Sequence, residues 1–219
     1  MIFGKIEYLN LLPFHVFMKR YTKSSQQQHA LNYRRGVPSM INKAFKQRRV
    51  DAAFISSIAS QKCHCLNLGI VSKKEVRSVL LIPGKNKNDT ESATSNVLAK
   101  VLKCEGEVII GDKALKHYLS AKDDGAIDLA KLWYEEHKLP FVFARLCYHG
   151  RSKKYKKLSK KFLEKPYKIP QYILKESSQK TQIPEQDILQ YLELIQYRLD
   201  PYALLSLRRF LRLSKTLLK

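Results

Sequence analysis

The sequence predicts an α/β protein, and three observations carry that prediction. Strand-like and helix-like segments alternate as far as Leu146. Apolar runs such as 50–55 and 108–110 are too short and too continuous for surface helices. Proline or a hydroxyl residue stands at the start of several helical segments. Such alternation builds a mainly parallel sheet, whose ligands bind outside the carboxyl ends of the strands.

In chain order, Ile2–Tyr8 reads as a strand, and a helix follows from about Pro13 to Tyr21. Residues 22–28 are a polar connection, and Ala30–Tyr33 is a weak strand before the turn at Arg34-Arg35-Gly36. Pro38 opens a helix whose Met40, Ile41, Ala44 and Phe45 recur at helical spacing. Val50–Ile55 is a buried strand, and Ser56-Ser57 end it and begin another helical turn. Strands at Leu66–Val71 and Val76–Ile82 precede a polar loop, 83–91. A helix then runs from Ser92 to about Leu102, followed by a strand at 108–110 and a helix from Lys113 to Ser120 capped by Asp112. Ile127–Glu136 is helical and Phe141–Leu146 returns as a strand.

Beyond Arg151 the chain turns basic, helical and strand-free. Residues 153–165 are lysine-rich, and 184–197 and 201–217 are amphipathic helices with proline near each start. The second packs through Leu204, Leu205, Leu207, Leu211 and Leu218.

A chain of 219 residues with 44% hydrophobic and 10% aromatic content buries a real core. The formal charge of +22 suits nucleic acid, anionic surfaces or small polyanions, but the basic residues are spread along the chain. Lys153, Lys154, Lys156, Lys157, Lys160, Lys161 and Lys165 are enough to contact phosphates, yet no nucleic-acid motif accompanies them, and a solvated helix face explains the same pattern. Four cysteines are too few and scattered for a disulfide framework, so reduced thiols are expected. The N-terminus lacks the pattern of a signal peptide, and no apolar run reaches the roughly 18 residues of a membrane span. A soluble cytoplasmic protein is the expectation.

No GxGxxG, P-loop, HExxH or GxSxG pattern occurs. Cys63-His64-Cys65 is the one metal-like cluster, and adjacent ligands rarely close a tetrahedral site, so no metal is expected. The chain offers hydroxyls at helix starts instead: Ser39 after Pro38, Ser56-Ser57, and Thr94-Ser95. A helix N-terminus binds carboxylate or phosphate through its unpaired N–H groups. Plain N-capping, at about 1 kcal/mol, accounts for each hydroxyl taken singly. Taken together with Asn10 after the first strand, they outline one anion-binding cleft.

Several phrases then resemble one family. YLNLLP (8–13), GVPSMIN (36–42), VDAAFISSIA (50–59) and VRSVLL (76–81) stand in the order of the chorismate dehydratases of the futalosine route to menaquinone. So do ESATSNVL (91–98), VIIGDKAL (108–115), IDLAKLWYEEHKLPFVFA (127–144) and YLELIQYRLD (191–200). The resemblance implies a two-lobed, type II periplasmic-binding-protein-like (Venus flytrap) fold with a discontinuous first lobe. Residues 1–81 and 144–219 would form lobe 1 and residues 82–143 lobe 2, with Val76–Ile82 and Phe141–Leu146 as hinge strands.

It further implies chorismate as substrate and 3-[(1-carboxyvinyl)oxy]benzoate and water as products. No cofactor, metal, nucleic acid or membrane takes part. By the same resemblance Asn10 is the catalytic residue, orienting the substrate near its reacting ring, because a neutral amide is no general base. Ser39, Ser56, Ser57, Ser78, Thr94, Ser95 and Gly111 would contact the substrate, whose own enolpyruvyl carboxylate takes the ring proton. Arg145 departs from the family pattern, and pairing with a substrate carboxylate and facing solvent both stand. The sister dihydroxynaphthoate synthases, with a different opening phrase and a catalytic histidine, do not match. The alternative is a non-catalytic small-anion-binding protein of the same fold.

Overall fold

Residue Gly4 sets how closely the first layer packs. A Cβ there would lie 2.7 Å from Ile41 Cγ2 and 2.8 Å from Ala53 Cβ, so only glycine lets the neighbouring helix and strand approach. Gly4 belongs to β1 (Ile2–Lys5), which pairs in parallel with β2 (Asn32–Arg35) on one side and β3 (Ala52–Ser56) on the other. These positions come from a computed structural model that describes residues 1–22, 31–121, 124–164 and 168–217. The expected connection at 22–28, Lys165 and Leu218 lie wholly or largely outside those residues.

After β1 a 3-10 turn (Leu9–Leu11) leads into α1 (Leu12–Tyr21), and α2 (Pro38–Lys46) follows β2. The chain then forms β4 (Cys65–Ser72), β5 (Val79–Ile82), α3 (Ala93–Val101), β6 (Glu107–Ile110), α4 (Gly111–Ser120), β7 (Ile127–Asp128), α5 (Leu129–His137) and β8 (Phe141–Tyr148). The C-terminal part adds α6 (Lys153–Glu164), α7 (Gln171–Thr181), α8 (Glu185–Glu193), β9 (Ile195–Arg198) and α9 (Pro201–Leu217).

Two sheets result, a six-stranded one ordered β2-β1-β3-β8-β4-β9 and a three-stranded one ordered β6-β5-β7. β8 inserts between β3 and β4, antiparallel to both. The larger sheet is therefore mixed, not mainly parallel, because its central strand is the one that returns from the smaller sheet. The chain leaves the larger sheet after β4 and re-enters it at β8, so residues 73–78 and 138–140 are its two crossings.

Other expectations are corrected by tertiary partners. Ile195–Arg198, folded into a predicted helix 184–197, is instead an edge strand on β4, with Ile195 opposite Ser72 and Arg198 opposite Leu68. α7 was not foreseen, since only Ile173 and Leu174 of it are buried. The turn expected after Ser56 forms, with the Ala59 and Ser60 N–H groups donating to the Ser56 carbonyl at 2.9 and 3.0 Å, but it does not continue as a helix and residues 57–62 are turns. Asp128 is not inside a helix but caps α5, accepting from the N–H groups of Ala130 and Lys131. Met40 is 59% exposed and Leu205 48%, so neither serves the core face expected of it.

The thiol expectation is also overturned. Cys65 and Cys147 are cross-strand partners of β4 and β8 and are joined by a disulfide, while Cys63 and Cys104 remain free. The lysine-rich α6 buries Tyr155, Leu158, Ser159 and Phe162 and turns its lysines outward, the arrangement of a solvated amphipathic face.

Candidate active site

Helix starts converge between the two sheets, and the chain places them there for local reasons. β1 ends into the segment Ile6–Asn10, β3 ends at Ser56, and β6 ends at Ile110 where α4 begins. Pro38 opens α2, and Ser92 caps α3 by accepting from the Ser95 N–H at 3.1 Å. These ends enclose a cavity lined by Tyr8, Asn10, Pro38, Ser56, Ser78, Ser92, Ser95, Gly111 and apolar neighbours that include Phe54, Ile70, Val76 and Phe143. Among the described residues no Lys, Arg, His, Asp or Glu lines it, in a chain with a formal charge of +22.

Of the residues singled out from the sequence, Asn10, Ser56, Ser78, Ser95 and Gly111 meet at this cavity. Ser39 is half-buried on α2 one residue past Pro38 and is not part of the lining. Ser57 donates from Oγ to the Val142 carbonyl at 2.6 Å and is fully buried. Thr94 Oγ1 accepts from the Ile58 N–H at 3.2 Å, a contact between the turn after β3 and the start of α3. Arg145 is half-buried and donates to Ser60 Oγ at 3.0 Å and to the Ser60 carbonyl at 2.7 Å, away from the lining. Neither alternative weighed for its guanidinium, substrate carboxylate or solvent, describes that placement. Asp112, expected as a cap of its own helix, accepts from the Leu9 N–H at 3.0 Å instead.

The sequence reading missed several participants. Tyr8 opens the phrase YLNLLP, lines the cavity and donates from Oη to Glu91. Ser92 is the second residue of ESATSNVL and shares a hydrogen bond between hydroxyls with Ser95 at 2.8 Å. Asn42, one turn into α2, accepts from the Ser56 N–H at 3.2 Å through Oδ1 and donates to Ser56 Oγ through Nδ2. It thereby holds the serine whose hydroxyl faces the cleft. All three carry a hydroxyl or amide inside a family phrase, and that was the available signal in each case.

Gly111 is the tightest point. Its φ is +68°, and a Cβ would lie 2.9–3.1 Å from three atoms of the Tyr8 ring. Its N–H donates to the Ser78 carbonyl at 2.8 Å, extending the β5–β6 ladder to the cavity edge. The cavity measures about 70 Å³, well below the roughly 300 Å³ at which small-molecule sites begin. The two sheets are thus drawn together over it, and a ring-sized ligand requires them to part.

A second cavity of about 130 Å³ lies on the far side of the Tyr8–Leu12 segment, lined by Lys5, Glu7, His15, Lys19, Asp112, Glu176 and Lys180 among others. Burial pushes the Asp112 carboxyl up to about 6, against the Leu9 N–H and Lys180, which favour the ionised form. Burial also pulls His15 down to about 4, while its Nε2 bonds the Ile6 carbonyl at 2.8 Å. Among the described residues no group of three or more His, Cys, Asp or Glu is placed to hold a metal ion, and Cys65 of the Cys63-His64-Cys65 cluster is spent in its disulfide.

Two α/β sheets joined by two crossings, with helix N-termini meeting in the cleft between them, define the class of two-lobed binding-protein folds. Solved structures agree. A protein of Archaeoglobus fulgidus superposes with a TM-score of 0.69 at 10% identity, covering 98% of this chain and 96% of that one. A Candida albicans protein described as having the generic periplasmic-binding-protein fold gives 0.54 at 13% identity, covering 100% and 91%. The aliphatic-sulphonate-binding protein of Escherichia coli gives 0.56 at 11%, covering 99% and 86%. At these identities the likeness is one of fold.

Sequence comparison goes further. The family model described as menaquinone biosynthesis matches residues 1–105 and 101–216. A chorismate dehydratase of Campylobacter jejuni is 46% identical over 222 residues, spanning 99% of each chain. The chain belongs to this menaquinone-biosynthesis family, and it is an enzyme of the flytrap fold.

Proposed function

We propose that the protein is a hydro-lyase that converts chorismate into 3-[(1-carboxyvinyl)oxy]benzoate and water, the reaction the resemblance implied. The observation that carries the reading is the uncharged lining of the cleft, in a chain 46% identical to a chorismate dehydratase. The substrate brings two carboxylates, and hydroxyls and helix N-termini can hold them without neutralising them. An arginine or lysine beside the enolpyruvyl carboxylate would stabilise its ionised form and weaken it as a base. Desolvation among neutral groups does the reverse.

The reaction then balances within the substrate. The enolpyruvyl carboxylate takes the ring proton, the C–H electron pair joins the ring as it becomes aromatic, and the adjacent C–O bond breaks. The departing hydroxyl carries away its electron pair and, with the transferred proton, leaves as water. Asn10 orients the ring, Ser56, Ser78 and Ser95 contact the carboxylates, and closure of the lobes excludes bulk water. Ser39, Ser57, Thr94 and Arg145, which do not line the closed cavity, would act from behind it or on entry of the substrate.

We take residues 1–81 with 144–219 and residues 82–143 as the two lobes; pairing of β5 in the smaller sheet from Val79 and of β8 in the larger sheet from Phe141 supports junctions near those residues. The enzyme works on a small soluble acid, and no helix among the described residues is long and apolar enough to cross a membrane. We place it in the cytoplasm, as a biosynthetic enzyme.

Mixing the purified protein with chorismate and following product by mass and aromatic absorbance tests the reading. Turnover in the wild type and its loss in a folded Asn10→Ala variant are expected. Binding without conversion overturns it in favour of a small-anion carrier.

A further inference from the structure

The C-terminal phrase YLELIQYRLD takes no part in the cavity lining, yet two of its tyrosines reach the back of the site. Tyr191, in the last turn of α8, is fully enclosed, and its Oη lies 2.9 Å from Ser78 Oγ. The Asn10 side chain neighbours the same phenol and works against the effect of its burial. Tyr197, on β9 and half-buried, donates from Oη to the backbone carbonyl of Asn10 at 2.7 Å. The Asn10 backbone and the Ser78 hydroxyl are therefore each held by a tyrosine from one short stretch more than 110 positions away.

Burial holds the Tyr191 phenol well above its ordinary range, so it stays neutral and contributes a fixed dipole, neither a base nor a charge. That dipole matters because both of its partners are otherwise free to turn. An amide torsion is broad and roughly two-fold, so an asparagine presents oxygen or nitrogen to a cavity with little preference. A serine hydroxyl proton rotates to suit its surroundings. One phenol has one proton to give and lone pairs with which to accept, so it ties the orientation of each partner to that of the other.

We propose that Tyr191 is a positioning residue for the reaction, setting through a single phenol which end of the Asn10 amide and which side of the Ser78 hydroxyl face the substrate, while Tyr197 fixes the Asn10 backbone. The proposal deepens the dehydratase reading and rests on it. It also explains what the C-terminal segment contributes to a cleft it does not line: the edge strand β9 and the end of α8 form the back plate of the site.

Tyr191→Phe keeps the ring and removes the bond. Turnover is expected to fall at least tenfold with less than a threefold change in KM, since the groups remain present but are no longer held. In a Ser78→Ala background the same change is expected to cost markedly less, because one of the two partners is already gone. An activity-independent readout uses selective asparagine ¹⁵N labelling. The Asn10 side-chain pair, identified by its disappearance in Asn10→Ala, should shift in Tyr191→Phe while most other asparagine signals stay in place. An unchanged turnover, an equal loss in both backgrounds, or an unmoved Asn10 signal overturns the proposal. A wild type that never converts chorismate overturns the dehydratase reading instead, and the ¹⁵N readout still decides whether Tyr191 holds Asn10.

Discussion

Tyr8 donates its phenolic hydrogen to the Glu91 carboxylate, 83 positions away, and the next residue, Leu9, donates its N–H to Asp112 at 3.0 Å. Two successive residues at the end of β1 thus reach two carboxylates on the side of the smaller sheet. With Ile58 on Thr94, three hydrogen bonds span the cleft at its rim. Any opening of the two sheets to admit a ligand would have to part all three.

A hydrogen bond to a charged group contributes about 1.5 kcal/mol or more, which is roughly tenfold in the closing equilibrium. Tyr8→Phe preserves the ring that packs on Gly111 and removes only the donor. Steady-state kinetics should show KM raised about tenfold with kcat lowered less than threefold. Glu91→Gln, which keeps an acceptor, should fall between that variant and the wild type. A Tyr8→Phe enzyme with unaltered KM would show that the contact does not favour the closed form.

Ser92 and Ser95 separate the two meanings of a hydroxyl at a helix start. Ser92 Oγ accepts from the Ser95 N–H, so Ser92→Ala removes a cap, and thermal unfolding should report a loss of about 1 kcal/mol. Ser95 has no such capping duty and faces the cavity. Ser95→Ala is expected to leave stability within about 0.5 kcal/mol and to weaken substrate binding severalfold, measurable as KM. The opposite pattern would make Ser95 structural and Ser92 the ligand.

Which parts of this were legible in the sequence follows from how local their causes are. Ala52–Ser56 and Val108-Ile109-Ile110 announce themselves because a short apolar run is its own evidence. Ser95 stood out as a hydroxyl at a helix start and Gly111 through the family phrase VIIGDKAL, and both line the cavity. Ser57 was not, because it looks like Ser56 in one dimension. Once β3 is formed, successive side chains leave on opposite sides, and Ser57 turns to the Val142 carbonyl while Ser56 stays in the cleft. The strand at Ile195–Arg198, the Cys65–Cys147 bond and the Ser78–Tyr191 pair all depend on partners more than 80 positions away. No local pattern encodes those partners.

Gly111→Ala should fail for two reasons at once. The new methyl would meet the Tyr8 ring at about 3 Å, and the backbone would have to keep a φ of +68° that alanine resists. Loss of about 1–3 kcal/mol of stability and most of the turnover is expected. Pairing it with Tyr8→Ala, which opens the space, should recover part of the stability but not the hydrogen bond to Glu91. A variant as stable and active as wild type would mean that the segment Tyr8–Asn10 moves easily away from α4.

The two half-buried groups of the second cavity oppose one another in their response to pH. His15 is held near 4 in the folded protein against an unfolded value of 6.5, so between those values the unfolded chain binds more protons and stability falls as pH falls. Asp112 is raised to about 6 from 3.8, so over nearly the same window the folded protein binds more protons and stability rises as pH falls. At about 1.4 kcal/mol per pH unit, each effect is bounded at about 3 kcal/mol, and in the wild type they largely cancel between pH 6 and 4. Each single variant should uncover the other. Denaturant titrations of Asp112→Asn, which keeps an acceptor for the Leu9 N–H, should show greater stability than wild type at pH 7 and a steep loss from pH 6.5 to 4. In His15→Gln the trend should reverse, with stability climbing as pH drops from 6 towards 4. Two variants with the same pH profile as the wild type would mean that neither group is kept in its uncharged form by burial.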